Sequence, residues 1–290
     1  MIVTKITSGL GNQLFQYAVG RNLALLNGTS LYFDLSYYKS TYDTDTVRHF
    51  KLDRFHINYS VLNRSPLEYI SKGTKLFPNR TFKPFFSLVK EKHFHFDEEV
   101  LHSTGFWITL DGFWQSEKYF WENADVIRRE LSFKDVDEVN FTQYKQEITG
   151  SETPVSMHIR RGDYVTHPDF SKTFGFVGME YYRQAVALVR ERFPSHRFFV
   201  FSDDHAWVKD NFDLRENDVF VVNEGQDADL KDLQLMSLCR HNIIANSSFS
   251  WWGAWLNPNP DKLVIAPARW YRNKPDWNTK DLVPKGWTRL

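Results

Sequence analysis

The chain has 290 residues, 42% of them hydrophobic and 25% charged, and its 36 basic side chains balance 36 acidic ones. This length predicts one large domain or two ordinary ones, with a core that needs no disulfide or metal for stability. Zero net charge excludes a broad cationic surface for nucleic acid, so any bound anion must meet a local cluster of donors.

The first half of the chain opens on a pattern of strand, glycines and helix. A short strand over 2–7 leads into Gly9-Leu-Gly11, and apolar spacing predicts a helix from about Asn12. With Asp34 further on, the pattern is typical of a dinucleotide-binding fold, but Leu14 stands where that fingerprint has its third glycine. An NAD enzyme is therefore the weaker interpretation of this segment.

The remainder of the first half gives fewer clear signals. A second strand is predicted at 30–35, a third near 108–113 and a helix near 116–131. The stretch from 40 to 105 mixes polar and aromatic residues without a clean period. The polar segment 134–152 lacks an apolar stripe, so we interpret it as a linker.

Strands and helices alternate in the second half. The clearest helix covers 179–193, where apolar residues recur at three- and four-residue steps. Strands are predicted at 155–160, 197–202, 219–222, 242–246 and 262–266. This alternation predicts a parallel, doubly wound sheet, in which ligands bind outside the carboxyl ends of the strands.

Two adjacent arginines, Arg160 and Arg161, follow the first strand of the second half. A guanidinium group donates two parallel hydrogen bonds to phosphate oxygens and keeps its charge near neutral pH. Period-two alternation puts His158 on the same strand face as Arg160. The pair predicts a diphosphate clamp, and the alternative is a surface arginine pair bonded to Asp163.

A serine-rich turn, Asn246-Ser-Ser-Phe-Ser250, follows the fourth strand and opens a helix. Backbone amides at a helix amino terminus can bind an anion without a basic residue. Ordinary capping of the helix by a serine is the alternative. The neighbouring tryptophans, Trp251, Trp252 and Trp255, are predicted to pack in the core.

Several carboxylates are candidates for other roles. Asp203 and Asp204 end the second strand, where they could accept hydrogen bonds from a ribose or a guanine, or cap the next helix. The Asp-X-Asp spacing of some metal sites begins at Asp43 and at Asp227, in stretches rich in turn and capping residues. We therefore predict no metal site.

Five segments in chain order carry a combined pattern: GLGNQLFQY at 9–17, GFWQSEKYF at 112–120, HIRRGDY at 158–164, FSDD at 201–204 and NSSFSWW at 246–252. Together they resemble the α-1,2-fucosyltransferases of glycosyltransferase family eleven. The resemblance spans nearly the whole chain, and several motifs in order are far more specific than any one of them.

The resemblance implies an α/β protein of GT-B-like fold, with two Rossmann-type domains whose parallel sheets face each other across a cleft. We place the acceptor-side domain at 1–150 and the GDP-fucose-binding domain at 151–290. The implied reaction moves L-fucose from GDP-β-L-fucose to the 2-hydroxyl of a terminal galactoside, with inversion and with neither a metal nor a cofactor.

The same resemblance implies the roles of the site residues. Arg160, which contacts the β-phosphate, and Asp163 are the predicted catalytic residues. Because Asp163 is a carboxylate beside two arginines, we expect it to orient them and to be a poor base. The other predicted substrate contacts are Asn12, His158, Arg161, Asp203, Asp204, Ser247, Ser248 and Phe249. The histidine and one of the two aspartates contact the guanosine, the three residues of the serine turn border the pyrophosphate or base, and the asparagine faces the cleft from the other domain.

The expected partners are GDP-fucose and a galactose-containing glycan, and no nucleic acid. The single cysteine, Cys239, suits a reducing compartment, and neither a signal-peptide pattern nor a membrane-spanning stretch is present. We therefore expect a cytoplasmic protein. Contact with the inner membrane surface and the oligomeric state stay open at this stage.

Two alternatives remain from the sequence. One is a GT-B transferase with a different nucleotide-sugar donor, which calorimetry with GDP, UDP and CDP would distinguish. The other is a non-catalytic carbohydrate-binding protein, because 17% of the residues are aromatic and rings stack on sugars. Such a protein would bind glycans without binding GDP-fucose.

Overall fold

The structure, a computed structural model, describes residues 1–39, 47–62, 86–134, 139–274 and 276–290. The chain forms two compact units. The first comprises Met1–Lys134 and Asn278–Leu282, and the second comprises Asp135–Trp277 and Val283–Leu290. The division after Lys134 differs from the predicted boundary after residue 150, and a short segment near the carboxyl terminus returns to the first unit.

The described residues of the first unit form five parallel strands: β1 (Ile2–Lys5), β2 (Leu31–Asp34), β3 (Ser60–Val61), β4 (Phe86–Lys90) and β5 (Trp107–Asp111). Their order in the sheet is β3-β2-β1-β5-β4, so β1 lies at the centre beside β5. The predicted strands at 2–7, 30–35 and 108–113 are confirmed with shorter bounds. The strands β3 and β4 fall within the stretch whose pattern is irregular.

Helix α1 (Leu10–Leu26) follows β1 and starts two residues before the predicted position. Nearly all of its residues as far as Ala24 are buried. Its second half is tied to the segment that follows β5, because Arg21 makes a two-pronged ion pair with Glu130 and the Asn22 side chain donates to the Tyr119 carbonyl.

The predicted helix near 116–131 is interrupted. Two 3₁₀ turns, Glu117–Tyr119 and Trp121–Asn123, precede helix α2 (Ala124–Glu130). The backbone of Phe120, between the two turns, has φ −144°, which no α-helix accommodates. The periodic pattern therefore indicated buried residues correctly but overestimated the length of the helix.

In the part of the second unit that the structure describes, there are six parallel strands: β6 (Thr153–Ile159), β7 (His196–Ser202), β8 (Val219–Phe220), β9 (His241–Ile243), β10 (Val264–Ala266) and β11 (Thr288–Arg289). Their order is β11-β10-β9-β6-β7-β8. Its helices are α3 (Val139–Gly150), α4 (Gly162–Thr166), α5 (Pro168–Thr173), α6 (Met179–Arg192), α7 (His205–Asn211), α8 (Ala228–Leu238) and α9 (Ser248–Leu256). All five predicted strands and the predicted helix at 179–193 are present.

Helices cover both faces of the second sheet, which confirms the doubly wound prediction. Val155 and Met157 of β6 pack on one face with residues of α6 and α7, including Val189 and Val208. The opposite face is packed by α3 and α8. Trp251 and Trp252 are fully buried and Trp255 is nearly so, as the sequence predicts for the core.

Residues 139–150, predicted to belong to a linker, form helix α3 of the second unit. Three spaced side chains, Phe141, Tyr144 and Ile148, pack against the sheet, and Ile148 is completely buried. Most other side chains of this helix are exposed, so its mean composition is polar. The prediction was wrong because a narrow apolar stripe is hidden by a wide solvated face.

Within the described ranges, no helix is long and apolar enough to cross a membrane. The carboxyl ends of the central strands β9, β6 and β7 lie side by side at one edge of the second sheet. The segments that leave these strands carry most of the predicted site residues.

Candidate active site

Arg160 leaves β6 at the carboxyl edge of the second sheet and is held by two carboxylates. Its Nη2 lies 2.6 Å from Asp163 Oδ1, and its Nη1 lies 2.9 Å from Asp203 Oδ2. The guanidinium carbon also lies 5.3 Å from the centre of the Tyr164 ring. The side chain is 23% exposed, so it is fixed in direction and still accessible to a ligand. A guanidinium with these constraints is preorganised for an anion.

The electrostatic environment keeps Arg160 charged. Burial disfavours the charged form, but the nearby carboxylates of Asp203 and Asp163 outweigh it and raise the pKa of Arg160 above its ordinary value. The Asp163 carboxylate therefore orients the arginine, as the sequence predicts for a carboxylate beside this pair. The alternative, an arginine pair bonded to Asp163, is observed for Arg160 alone, because Arg161 pairs with Asp204.

Gly162 begins helix α4 directly behind this ion-pair network. A Cβ at this position would lie 2.4 Å from Asp203 Oδ2, much closer than real contacts allow. The absence of a side chain therefore lets the carboxylate of Asp203 approach the backbone. In that position Asp203 Oδ1 also accepts from the Arg161 amide at 2.8 Å.

Arg161 has a different environment from Arg160. Its guanidinium carbon lies 3.6 Å from the centre of the Trp207 ring, and its Nε lies 3.1 Å from Asp204 Oδ2. Neighbouring residues of a strand end point to opposite faces. The two arginines therefore have different carboxylate partners, and their joint contact with a diphosphate stays a prediction.

The two aspartates after β7 are both engaged within the protein. Asp203 pairs with Arg160, while Asp204 pairs with Arg161 and caps helix α7 by accepting from the Trp207 amide at 3.3 Å. The capping alternative is therefore observed for Asp204. Contact of either carboxylate with a ribose or guanine stays a prediction.

His158 lies in β6, two residues before Arg160, and is buried. Burial and the positive charge of Arg160 lower the pKa of His158 to about 3, so the ring is neutral at physiological pH. Among the described residues, none hydrogen-bonds to its Nδ1. Its ring centre lies 5.6 Å from that of Phe249, which brings together two residues predicted to border the nucleotide.

The serine turn begins helix α9 beside β9. Ser247 is the capping residue, and its Oγ accepts from the Phe249 amide at 3.3 Å. The capping alternative is therefore observed here too, and one amide of the predicted anion site is bonded within the protein. Ser248 and Phe249 stay partly exposed at this helix start.

Asn246, just before this turn, is a structural brace. Its side-chain amide donates to the carbonyls of Phe174, Gly175 and Trp270 at 3.0–3.2 Å. It holds the exit of β9 against two other segments of the second unit. These hydrogen bonds therefore fix the position of the serine turn that follows Asn246.

Asn12 belongs to the first unit, on the first turn of α1. Its Oδ1 accepts a hydrogen bond from Gln115 Nε2 at 2.8 Å. Asp34, the acidic residue of the dinucleotide-binding interpretation, is buried and accepts from the Ser36 amide at 2.9 Å. That bond is a local turn contact at the end of β2.

Among the described residues, no group of three or more histidine, cysteine or acidic side chains is arranged to hold a metal ion. The Asp-X-Asp pair that begins at Asp43 lies outside the described residues. The other pair begins at Asp227, the residue before helix α8, and the second carboxylate, Asp229, accepts from the Leu230 amide through Oδ1 at 3.0 Å.

Asp232 is a candidate that the sequence analysis missed. It lies on helix α8, accepts from Asn223 Nδ2 at 2.7 Å, and burial raises its pKa to about 7. The available signal was its spacing, because Leu235, Met236 and Cys239 follow at three, four and seven residues and form the buried stripe of the helix. Carboxylates with strongly shifted pKa values are enriched at functional sites.

The raised pKa of Asp232 predicts a stability that depends on pH. Between pH 4 and 7 the folded protein keeps a proton that the unfolded chain has released, so the free energy of unfolding falls by up to about 1.4 kcal/mol per pH unit. We expect Asp232→Asn to remove this slope, so that the variant gains stability relative to wild type as pH rises. Urea unfolding at pH 5, 6, 7 and 8 measures the difference.

The exposed Asp210→Asn is the matched control, since it removes a carboxylate from helix α7 of the same unit. It is expected to follow the wild-type profile. A difference between Asp232→Asn and wild type that stays constant from pH 5 to 8 would show that Asp232 carries no such proton.

Comparison with known proteins shows the fold class and the family of this chain. Two α/β units, each with a parallel sheet, are the architecture of the GT-B fold, which solved structures of low sequence identity share with this chain. The profile described as Glycosyl transferase family 11 matches residues 1–290. The chain therefore belongs to glycosyl transferase family 11.

The relatives include bacterial and human enzymes. The chain is 34% identical to an alpha-1,2-colitosyltransferase of Escherichia coli over 100% of the chain and 99% of the relative. It is 32% identical to the O-antigen biosynthesis glycosyltransferase WbnK of Escherichia coli, over 98% of the chain and 99% of the relative. Human galactoside alpha-(1,2)-fucosyltransferase 1 is 30% identical over 85% of the chain and 62% of the relative.

Solved structures share the fold at low sequence identity. NodZ α-1,6-fucosyltransferase, from a crystal soaked with GDP-fucose, has a TM-score of 0.52 at 16% identity, with 89% of this chain and 92% of NodZ covered. A mutant of Arabidopsis thaliana FUT1 in complex with GDP has a TM-score of 0.55 at 13% identity, with 95% of this chain and 72% of the FUT1 chain covered. These similarities confirm the predicted fold class.

Proposed function

We propose that this family 11 enzyme transfers L-fucose from GDP-β-L-fucose to the 2-hydroxyl of a terminal galactoside, with inversion. The observation that carries the proposal is the doubly paired Arg160 at the carboxyl edge of the second sheet. Similarity to the human galactoside α-1,2-fucosyltransferase supports the acceptor and the linkage.

In the proposed reaction, Arg160 binds the β-phosphate. As the bond from fucose to GDP breaks, negative charge builds on that phosphate and positive charge on the sugar. A guanidinium already fixed by Asp163 and Asp203 needs little reorganisation, so it binds the developing charge more tightly than the ground state. The barrier falls by the difference between these two interactions.

The nucleoside of GDP is proposed to lie along the same edge. His158 is buried and Phe249 is partly buried, and their rings are neighbours. Because the histidine is neutral, the two rings offer an uncharged surface to the guanine base. Ser247 and Ser248 begin helix α9, whose positive dipole end favours the pyrophosphate. Asp204 and Arg161 support this edge from behind through their ion pair.

Asp163 is proposed to act through Arg160. Its Oδ1 lies 2.6 Å from the guanidinium, and a carboxylate so paired is a weak acceptor for the proton of an attacking hydroxyl. We assign it as a positioning residue. The acceptor hydroxyl is then deprotonated after the bond to GDP has broken: its oxygen bonds to the positively charged sugar, its O–H becomes acidic, and the proton passes to water.

A second donor is favoured by one specific observation. The chain is 34% identical, over its full length, to an alpha-1,2-colitosyltransferase. Colitose is L-fucose without its 3-hydroxyl group, so a pocket that holds one sugar differs from a pocket for the other mainly at that position. GDP-colitose is therefore the second candidate donor.

We propose that transfer needs neither a cofactor nor a divalent metal ion and takes place in the cytoplasm. The guanidinium of Arg160 supplies the positive charge that a metal provides in other sugar transferases. The buried thiol of Cys239 fits a reducing compartment. Full activity in excess EDTA is expected, and strict dependence on Mn²⁺ would contradict this part of the proposal.

Calorimetry tests the donor site directly. We expect GDP to bind at least about tenfold more tightly than UDP or CDP, because recognition of a guanine edge by hydrogen bonds rejects the other bases. Equal affinity for the three nucleotides would contradict a guanosine site. Binding of glycans without binding of GDP would instead favour a non-catalytic carbohydrate-binding protein.

A further inference from the structure

Two turns meet at the carboxyl edge of the first sheet. One leaves the central strand β1 and begins helix α1, and the other, residues 112–116, leaves the neighbouring strand β5. Gln16 Nε2 donates to the Gly112 carbonyl at 3.2 Å, and Gln115 Nε2 donates to Asn12 Oδ1 at 2.8 Å. These two bonds join the turns into one surface.

A single carboxylate fixes the second turn. Glu91, which follows β4, accepts from the Phe113 amide through Oε2 at 2.7 Å and from the Trp114 amide through Oε1 at 3.0 Å. The ring of Trp114 is buried, whereas the side chain of Phe113 is 36% exposed. The turn therefore holds one aromatic ring inside the unit and presents the next one to solvent.

The hydrogen bond between the side-chain amides of Gln115 and Asn12 sets which end of each amide faces the other. Because Asn12 Oδ1 accepts from Gln115, the Nδ2 group of Asn12 is the end that remains for a ligand, and no described residue accepts from it. At this edge Lys5 Nζ lies 3.6 Å from Asp111 Oδ1, and the Glu91 carboxylate accepts from two backbone amides.

A partly exposed ring on the same turn as a fixed amide donor suits an uncharged carbohydrate. The C–H face of a galactose packs on an aromatic ring, and its hydroxyls accept from side-chain amides. We propose that the 112–116 turn is the subsite for the terminal acceptor galactose, with Phe113 as its packing surface and the Asn12–Gln115 pair as its hydroxyl contact. This inference rests on the proposed function and adds the residues that choose the acceptor.

Lactose, a soluble β-galactoside, is the probe, and Phe113→Ala is the first variant. We expect the KM for lactose to rise about five- to tenfold, while the affinity for GDP stays at the wild-type value. The matched control is Phe106→Ala, which removes a 69% exposed phenylalanine next to the opposite end of β5. It is expected to change neither value.

Gln115→Leu and Gln115→Glu test the amide pair. The leucine variant removes the donor that fixes the side chain of Asn12. The glutamate variant can only accept a hydrogen bond, so the Asn12 amide is expected to flip and to donate its Nδ2 to the glutamate instead of to a ligand. Both variants are expected to raise the KM for lactose at least about fivefold with GDP affinity unchanged. A general loss of folding would lower GDP affinity as well.

Saturation-transfer NMR with lactose reads acceptor binding without any sugar transfer, so a wrong assignment of the donor leaves this measurement intact. Signals weakened by Phe113→Ala and Gln115→Leu, but not by Phe106→Ala, would support the subsite. Wild-type lactose binding in both of those variants, or the lack of any lactose signal with the unmodified protein, would overturn it.

Discussion

Arg160→Lys is expected to lower kcat for sugar transfer about 10²–10³-fold, the usual cost of removing one preorganised donor from a transition-state charge. Lysine keeps the positive charge but cannot reach Asp163, Asp203 and a phosphate oxygen at the same time, because it lacks the planar fork. Steady-state kinetics with GDP-fucose, together with a thermal melt, measure the loss and confirm the fold.

The matched control for this variant is Arg197→Lys. Arg197 is also a half-buried arginine of the second sheet, paired with Glu147 at 2.7 Å, but it lies at the amino end of β7, away from the candidate site. Its replacement is expected to leave kcat within about twofold of wild type. Near-normal turnover of a folded Arg160→Lys or Arg160→Ala protein would contradict the proposal that Arg160 contacts the phosphate.

Gly162→Ala is expected to lower kcat about ten- to a hundredfold without destabilising the protein. The new methyl group would lie 2.4 Å from Asp203 Oδ2, so Asp203 has to move away from Arg160. Displacement of a catalytic group by about 1 Å commonly costs up to about 10²-fold in rate. Alanine in the first turn of α4 favours the helix, so the melting temperature is expected to stay level or rise.

Gly286→Ala provides the comparison, since a Cβ there meets no atom within 4 Å. This variant is expected to retain wild-type kinetics. Equal kcat for Gly162→Ala and Gly286→Ala would mean that the position of Asp203 has no influence on turnover. A fall in both stability and activity of Gly162→Ala would point to disruption of the helix instead.

The second unit could be predicted well from the sequence. Its strands are runs of β-branched and aromatic residues buried on both faces, such as His196–Ser202, and such runs are unambiguous when helices separate them. The helix at 139–150 was missed because its described apolar side chains that pack on the unit are three, Phe141, Tyr144 and Ile148. A stripe this sparse does not alter the average polarity of the segment.

The positions of the site residues could be predicted better than their partners. Strand ends are local features, so Arg160 and Asp203 were assigned to one sheet edge from periodicity alone. The ion pair between them joins residues that are distant in the chain, and it depends on the pairing of β6 with β7. The sequence therefore could not show that the carboxylates proposed for the nucleotide are already bound to arginines.

The first unit shows the same limit in another form. The bond between Asn12 and Gln115 links two turns at the ends of β1 and β5, which adjoin in the sheet although they are far apart in the sequence. Each segment taken alone contains only an amide near glycines. Their juxtaposition follows from the sheet order, and Phe113 belongs to the second of these turns.

The reaction product tests the central claim most directly. GDP-fucose and GDP-colitose are each incubated with lactose, and NMR determines the anomeric form and the linkage of the product. The account predicts an α-linked fucosyl group on O2 of galactose, formed from GDP-fucose with at least the efficiency of the colitosyl product. Transfer from GDP-colitose alone, attachment at another hydroxyl, or a β-linked product would contradict it.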